Sequence, residues 1–167
     1  MGNELDTYVA RFQNLPGYNL HSIVSEGMAS APWYQVDMKG LCAELVVNEL
    51  TLPEQLGVIS AEIQKWGRLT ALAKRVWELN ERLYRAWRSK FILTVIDPPE
   101  KAKDWKKPTE AVLEAMYRID PQYHVYQIKI EEAEEAYNST EAVLQAFRAK
   151  KDVLLGMRKR YHEDGAA

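Results

Sequence analysis

The feature that most constrains this fold is a long stretch without proline, between Pro53 and Pro98. Apolar side chains recur through it in alternating steps of three and four residues, which is the spacing of one face of an α-helix. Pro53 suits the first turn of a helix. The pattern predicts a single helix that would reach roughly 60 Å at ~1.5 Å per residue. Its register comprises Leu56, Ile59, Ile63, Trp66, Ala73, Trp77, Tyr84, Trp87 and Phe91, with Thr70 and Asn80 at two polar positions.

A second apolar stripe lies beside the first on the same predicted helix. It consists of Leu69, Val76, Leu79 and Leu83. Two adjacent stripes form an apolar arc that is too wide for a single partner helix to cover. We therefore expect this helix to contact more than one neighbour and the protein to self-associate.

The next segment predicts a basic loop and a short helix. Pro98 and Pro99 cannot continue a helix, so the segment from Asp97 to Pro108 is predicted to be an exposed loop. Thr109 is the predicted cap of a short helix that extends to about Ile119.

A second long helix is predicted to begin at Asp120 and Pro121. Aspartate is a good capping acceptor, and proline is favoured at the first helical position. A helical register then continues to about Tyr161. Its positions are Tyr123, Tyr126, Ile130, Ala133, Tyr137, Thr140, Leu144, Phe147 and Leu154.

These elements predict an all-α fold, a long antiparallel helical hairpin with a short intervening helix, which assembles into a homo-oligomer. Residues 51–167 form the hairpin, and residues 1–50 form a small N-terminal extension. In the extension we expect a helix over Leu5–Phe12, a short strand over Trp33–Met38 and an amphipathic helix over Leu41–Leu50. Periodicity does not separate helix from strand in the last two segments, because they are short.

Charge is sorted along the chain, although the 167 residues together carry a net charge of only −2. Residues 64–107 hold twelve basic and five acidic side chains, a net charge of +7, whereas residues 108–147 have a net charge of −6. Such sorting suits an anionic ligand at one pole, or acidic and basic surfaces that meet between subunits. The third explanation is that the sorted charges simply lie on solvent-exposed helix faces.

The sequence offers no enzymatic motif. Cys42 is the single cysteine, and the three histidines lie in unrelated segments without metal-ligand spacing. There is no glycine-rich phosphate loop and no GxSxG turn. We therefore expect no catalytic residue, no metal and no cofactor. A lone cysteine, no run of ~20 apolar residues and no signal segment predict a cytoplasmic protein without a membrane partner.

The basic region is the strongest functional signal. Positive side chains interleaved with aromatic ones suit single-stranded nucleic acid, because phosphates attract cations and exposed bases stack on rings. Trp87 and Phe91 lie on the apolar stripe and are assigned to the core, which leaves stacking to the loop tryptophan. The candidate nucleic-acid-binding residues are Arg82, Arg85, Arg88, Lys90, Lys101, Lys103, Trp105, Lys106 and Lys107.

From about Pro53 to Arg160 the sequence resembles the UvsY family of phage recombination mediators. The resemblance lies in a long tryptophan-bearing helix that ends in the basic aromatic segment 84–90, a loop, a Thr-Glu helix start at Thr109, the Asp120-Pro121 break, and a final helix that closes with residues 150–154.

The resemblance implies a cytoplasmic phage or prophage protein that forms a ring-like homo-oligomer and binds single-stranded DNA with little sequence preference. Its partners would be a strand-exchange recombinase and single-strand-binding protein, and its function would be DNA recombination and repair. Arg85, Arg88 and Lys90 match the family's DNA-binding positions, and residues 101–107 extend them. The alternative is a non-enzymatic helical scaffold or adaptor without nucleic-acid binding.

Overall fold

The computed structural model describes residues 4–13, 18–19, 35–36, 38–96 and 106–164. In chain order the elements are α1 (Glu4–Gln13), β1 (Tyr18–Asn19), β2 (Gln35–Val36), α2 (Met38–Leu45), a 3₁₀ turn (Glu49–Thr51), α3 (Leu52–Ile96), α4 (Glu110–Arg118) and α5 (Pro121–Asp164). The strands form one antiparallel pair of two residues each. Apart from this short pair the described chain is helical, which confirms the all-α class.

The two long helices α3 and α5 run antiparallel along each other. Trp66 stacks on Phe147 with ring centroids 6.4 Å apart, and Trp77 stacks on Tyr137 at 5.6 Å. Further along α3, the side-chain amide of Asn80 donates to the backbone carbonyl of Lys129 on α5 at 3.3 Å. Residue numbers thus rise along α3 as they fall along α5.

The observed ends of the helices follow from local chemistry. The Asp120 carboxylate accepts a hydrogen bond from the Gln122 amide at 2.8 Å, so it caps α5 as predicted. Thr109 occupies the N-cap position of α4 with extended backbone, but its hydroxyl makes no capping hydrogen bond. The capping role predicted for the Thr109 side chain is therefore wrong. The position is right, and its carbonyl accepts from the Leu113 amide at 3.0 Å.

The core is built on the seven-residue spacing of both long helices. In α3 the fully buried side chains are Leu52, Ile59, Trp66 and Ala73. In α5 they include Ala133, Ala136, Thr140, Val143, Phe147 and Leu154, in alternating steps of three and four followed by one of seven. Each fully buried large side chain contributes about 1.5–3 kcal/mol through removal from water.

Helices α1 and α2 cover one half of this pair. Leu5 and Phe12 of α1 and Leu41 and Leu45 of α2 belong to the same core cluster as the second half of α5. Helices α1 and α2 of the N-terminal extension are therefore packed onto the long helices. Burial raises the pKa of the Cys42 thiol, whose Sγ lies 3.8 Å from the carbonyl of Val9.

Lys150 joins α5 to the end of α2. Its ammonium group is buried and donates to the backbone carbonyls of Glu44 at 2.5 Å and Val46 at 3.2 Å. These carbonyls lie at the C-terminal end of α2, where a helix leaves its last acceptors unsatisfied. Burial lowers the pKa of Lys150, and the negative charge of Glu44 opposes that effect. Lys150 is thus a helix cap supplied from a distant part of the chain.

We expect Lys150→Met to lower the free energy of unfolding by about 1–3 kcal/mol, because the backbone carbonyls of Glu44 and Val46 lose the charged donor that caps them. The control is Lys151→Met, a half-buried neighbour on the same helix, with an expected change within about 0.5 kcal/mol. Urea unfolding followed by circular dichroism measures both. Equal stability of the two variants would show that the buried hydrogen bonds contribute nothing.

Candidate nucleic-acid interface

An aromatic cluster occupies the end of the helix pair that lies away from α1 and α2. Trp87 lies 5.5 Å from Tyr126 and 6.0 Å from Tyr84, measured between ring centroids. Tyr84 also contacts Tyr123 at 6.2 Å, and Phe91 extends the cluster from Trp87 at 5.7 Å. All five rings are half-buried. This end of the molecule is therefore apolar and aromatic without being closed.

Trp87 and Phe91, which the sequence assigns to the core, belong to this half-buried cluster. Their rings pack on α3 and α5 neighbours, so they contribute to the contact between the helices while part of their surface stays accessible. Among the described residues, the fully buried core of α3 ends at Ala73.

Helix α4 is attached to this end through Tyr117. Its buried ring lies 5.9 Å from Tyr123, and the guanidinium carbon of Arg88 lies 4.9 Å above its centroid. A cation over an aromatic face is attracted by the ring quadrupole. Tyr117 was not among the residues predicted from the sequence. The apolar spacing from Leu113 to Tyr117, four residues along one helix, is the signal that places it on the packed face.

Two further arginines precede Arg88 at intervals of three residues. Arg85 forms an ion pair with Glu81 at 2.9 Å, with its side chain 72% exposed. Arg82 donates from Nε to the carbonyl of Glu78 at 3.2 Å. An exposed ion pair of this kind contributes about 0–1 kcal/mol and is readily exchanged for another anion. Both guanidinium groups therefore remain accessible to a phosphate.

Among the described residues, Lys90, Lys106 and Lys107 form no ion pair, and all three are exposed. The structure does not bring Lys90 to the same side as Arg88. The two are two residues apart, which is about 200° around an α-helix. Predicted site residues Lys101, Lys103 and Trp105 lie outside the described residues.

A cleft of about 370 Å³ lies between the end of α3 and the start of α4. Arg88 and Lys107 both line it, so the structure brings these two predicted residues to one site. Its apolar walls are formed by Ile92, Ile96, Pro108, Leu113 and Tyr117, and two glutamates, Glu110 and Glu114, also line it. Glu114 is paired with Arg118. The cleft thus combines an apolar surface with two cations and two carboxylates, one of which is paired with a third cation.

Burial raises the pKa of Tyr84, and the nearby Tyr117 adds to this effect. The positive charges of Arg88 and Arg118 act in the opposite direction. Tyr84 therefore keeps its proton at neutral pH and adds no negative charge to the cluster.

Within the described ranges, no group of three or more histidine, cysteine, aspartate or glutamate side chains is placed to hold a metal ion. None of the described helices combines the length and the hydropathy that crossing a bilayer requires.

No protein-family model matches the chain, and it has no significant match among curated proteins or solved structures.

We expect Tyr117→Leu to lower the free energy of unfolding by about 1–2 kcal/mol, because it removes a ring contact and the cation-π contact of Arg88 while it keeps an apolar side chain. The control is Met116→Leu, at an exposed position next to it. Thermal unfolding followed by circular dichroism compares the two. If both variants unfold at the wild-type temperature, Tyr117 does not hold α4 in place.

Proposed function

We propose that this protein binds single-stranded DNA through the basic end of the helix pair and acts as a recombination mediator. The observation that carries the DNA-binding proposal is the placement of Arg88 and Lys107 at one cleft, beside a half-buried aromatic cluster. Phosphates would bind the exposed cations, and unpaired bases would stack on accessible ring surface. Arg85, three residues before Arg88, and Lys106, next to Lys107 in the sequence, are further exposed cations.

The mediator role is supported by the resemblance to the UvsY family. In that proposal the protein is a helical hairpin that assembles into a homo-oligomer and helps to load a strand-exchange recombinase onto strands covered by single-strand-binding protein. It would act in the cytoplasm of a phage-infected or prophage-carrying cell. The net charge of −2 requires that DNA affinity be local and strongly dependent on salt.

We expect labelled oligo-dT to bind the wild-type protein at low salt, as measured by fluorescence anisotropy. The triple variant Arg88→Ala, Lys106→Ala, Lys107→Ala should bind at least about tenfold more weakly, because three phosphate contacts are lost. The slope of log K against log salt should decrease in magnitude by about two, since each contact with a single strand contributes about 0.7. Failure of the wild-type protein to bind would reject the proposal.

The matched control removes three positive charges from the other end of the molecule: Arg158→Ala, Lys159→Ala, Arg160→Ala. That end is marked by the hydrogen bond from Tyr161 to Glu49, 3.2 Å long. If both triple variants lose affinity equally, binding depends on total charge and not on the proposed site. Lys90→Ala, measured alone, tests whether the strand reaches the opposite side of α3.

A scaffold without nucleic-acid binding is the second candidate function. It is favoured by exposed arginines on α3 and exposed glutamates on α5 that form no ion pair within the described chain. If the protein is such a scaffold, we expect a stable oligomer that dissociates at high salt and has no affinity for oligo-dT.

A further inference from the structure

Four exposed apolar side chains lie at one level of the helix pair. Leu79 and Leu83 on α3 are 43% and 47% exposed, and Val125 and Ile128 on α5 are 42% and 54% exposed. They lie at the same height along the pair because a hydrogen bond joins Asn80, next to Leu79, to the carbonyl of Lys129, next to Ile128. We call these four residues the apolar face.

Leu79, Leu83 and Val125 lie on the side of the pair that is opposite to α4, and Ile128 lies next to them at the outer edge of α5. Helix α4 contacts Arg88 of α3 and Tyr123 of α5 through the ring of Tyr117. Leu79 precedes Arg88 by nine residues, about two and a half turns, so the two leave α3 in opposite directions. Leu83 lies five residues from Arg88, about 140° around the helix.

The same relation holds on α5. Val125 and Ile128 lie two and five residues after Tyr123, which is about 200° and 140° around the helix. Both therefore point away from α4. Tyr126 faces Trp87 of α3 and lies one residue after Val125 and two before Ile128, about 100° and 200° around the helix. Val125 thus lies on the side of the two leucines, and Ile128 lies at the outer edge of α5. Nothing among the described residues of the extension is part of a core cluster with them.

The rims of the apolar face carry opposite charges. Arg75 and Arg82 follow the α3 edge, whereas on α5 Glu132 lies in line with Val125, seven residues along, and Glu135 lies at the outer edge. All four are exposed, and no ion pair within the described residues includes them. One helix thus supplies the positive rim and the other supplies the negative rim.

This arrangement is self-complementary under a two-fold axis parallel to the helices. Such an axis places α3 of one copy over α5 of the other and leaves the height of each residue along the bundle unchanged. A two-fold axis in the interface plane but perpendicular to the helices would instead place α3 over α3, so that arginines would face arginines. Trp77 is level with Tyr137 and Asn80 with Lys129. Arg75 therefore lies within about one turn of the height of Glu135, and Arg82 within about one turn of Glu132.

We propose that the apolar face binds a second copy of this chain in a two-fold antiparallel four-helix bundle. Leu79 and Leu83 pack on Val125 and Ile128 of the other copy, and the arginines of each copy pair with the glutamates of the other. The inference deepens the self-association in the proposed function by naming its surface, and it does not depend on DNA binding.

Charge reversal tests the pairing. Arg75→Glu with Arg82→Glu, and separately Glu132→Arg with Glu135→Arg, should each raise the dissociation constant of the dimer at least about tenfold. An equimolar mixture of the two variants should restore association, because each supplies the charges that the other lacks. Sedimentation velocity measures assembly, and circular dichroism checks that each variant is folded. The control, Lys74→Glu with Arg158→Glu, carries the same change in charge as the arginine variant, but outside the apolar face, and should associate as the wild type does.

A monomeric wild type at low salt, or charge-reversed variants that associate as the wild type does, would overturn the inference. If the protein is a monomer and Leu79→Asp with Leu83→Asp lowers its free energy of unfolding, another part of the same chain covers the apolar face. That result also overturns the inference. Oligo-dT binding is measured on the same samples. A wild type that binds DNA as a monomer defeats this inference and the self-association in the proposed function but leaves DNA binding standing, whereas a dimer without DNA affinity defeats the DNA-binding proposal alone.

Discussion

The contact between α3 and α5 is the constraint on which the rest of the structure depends. It is made by residues at alternating three- and four-residue steps, and bulky rings on α3 face smaller or flat side chains on α5, as Trp66 does with Phe147 and Trp77 with Tyr137. Helices this long, at about 65 Å for ~1.5 Å per residue, are not stabilised by backbone propensity alone. Their stability comes from the side chains packed between α3 and α5, which we call the seam. The other described helices are positioned by their contacts with these two.

The two halves of the seam are protected to different extents. Around Trp66 and Phe147 the helices α1 and α2 add a further layer, and Lys150 ties the end of α2 to α5. Beyond Ala73 only α4 is added among the described elements, so the aromatic rings there are half-buried. The same packing that closes one half into a core therefore leaves the other half with aromatic and apolar surface. That surface is where both proposals lie.

Sequence periodicity predicted the long helices well, because their ends coincide with strong local signals. Pro53 and Pro98 bracket α3, and the Asp120 carboxylate caps α5. Long-range contacts left no such signal. The burial of Lys150 depends on carbonyls more than a hundred residues away in sequence, and α4 is held by Tyr117 beneath a guanidinium from α3. Arg88 and Lys90 are neighbours in the sequence, yet helical geometry separates them and groups Arg88 with Lys107 instead.

Self-association and DNA binding are coupled by electrostatics if both proposals hold. The glutamates of α5 repel a polyanion, and they lie on the same molecule as the basic cleft, at a net charge of −2. In the two-fold arrangement Arg75 and Arg82 neutralise Glu132 and Glu135 of the other copy, which removes both sets from the surface. Because equal numbers of positive and negative charges are paired, the net charge per chain stays at −2. Arg82 is then no longer available to a phosphate, whereas Arg88 and Lys107 at the cleft are outside this interface. Because linkage is reciprocal, a single strand that binds the assembled form more tightly must also stabilise the assembly.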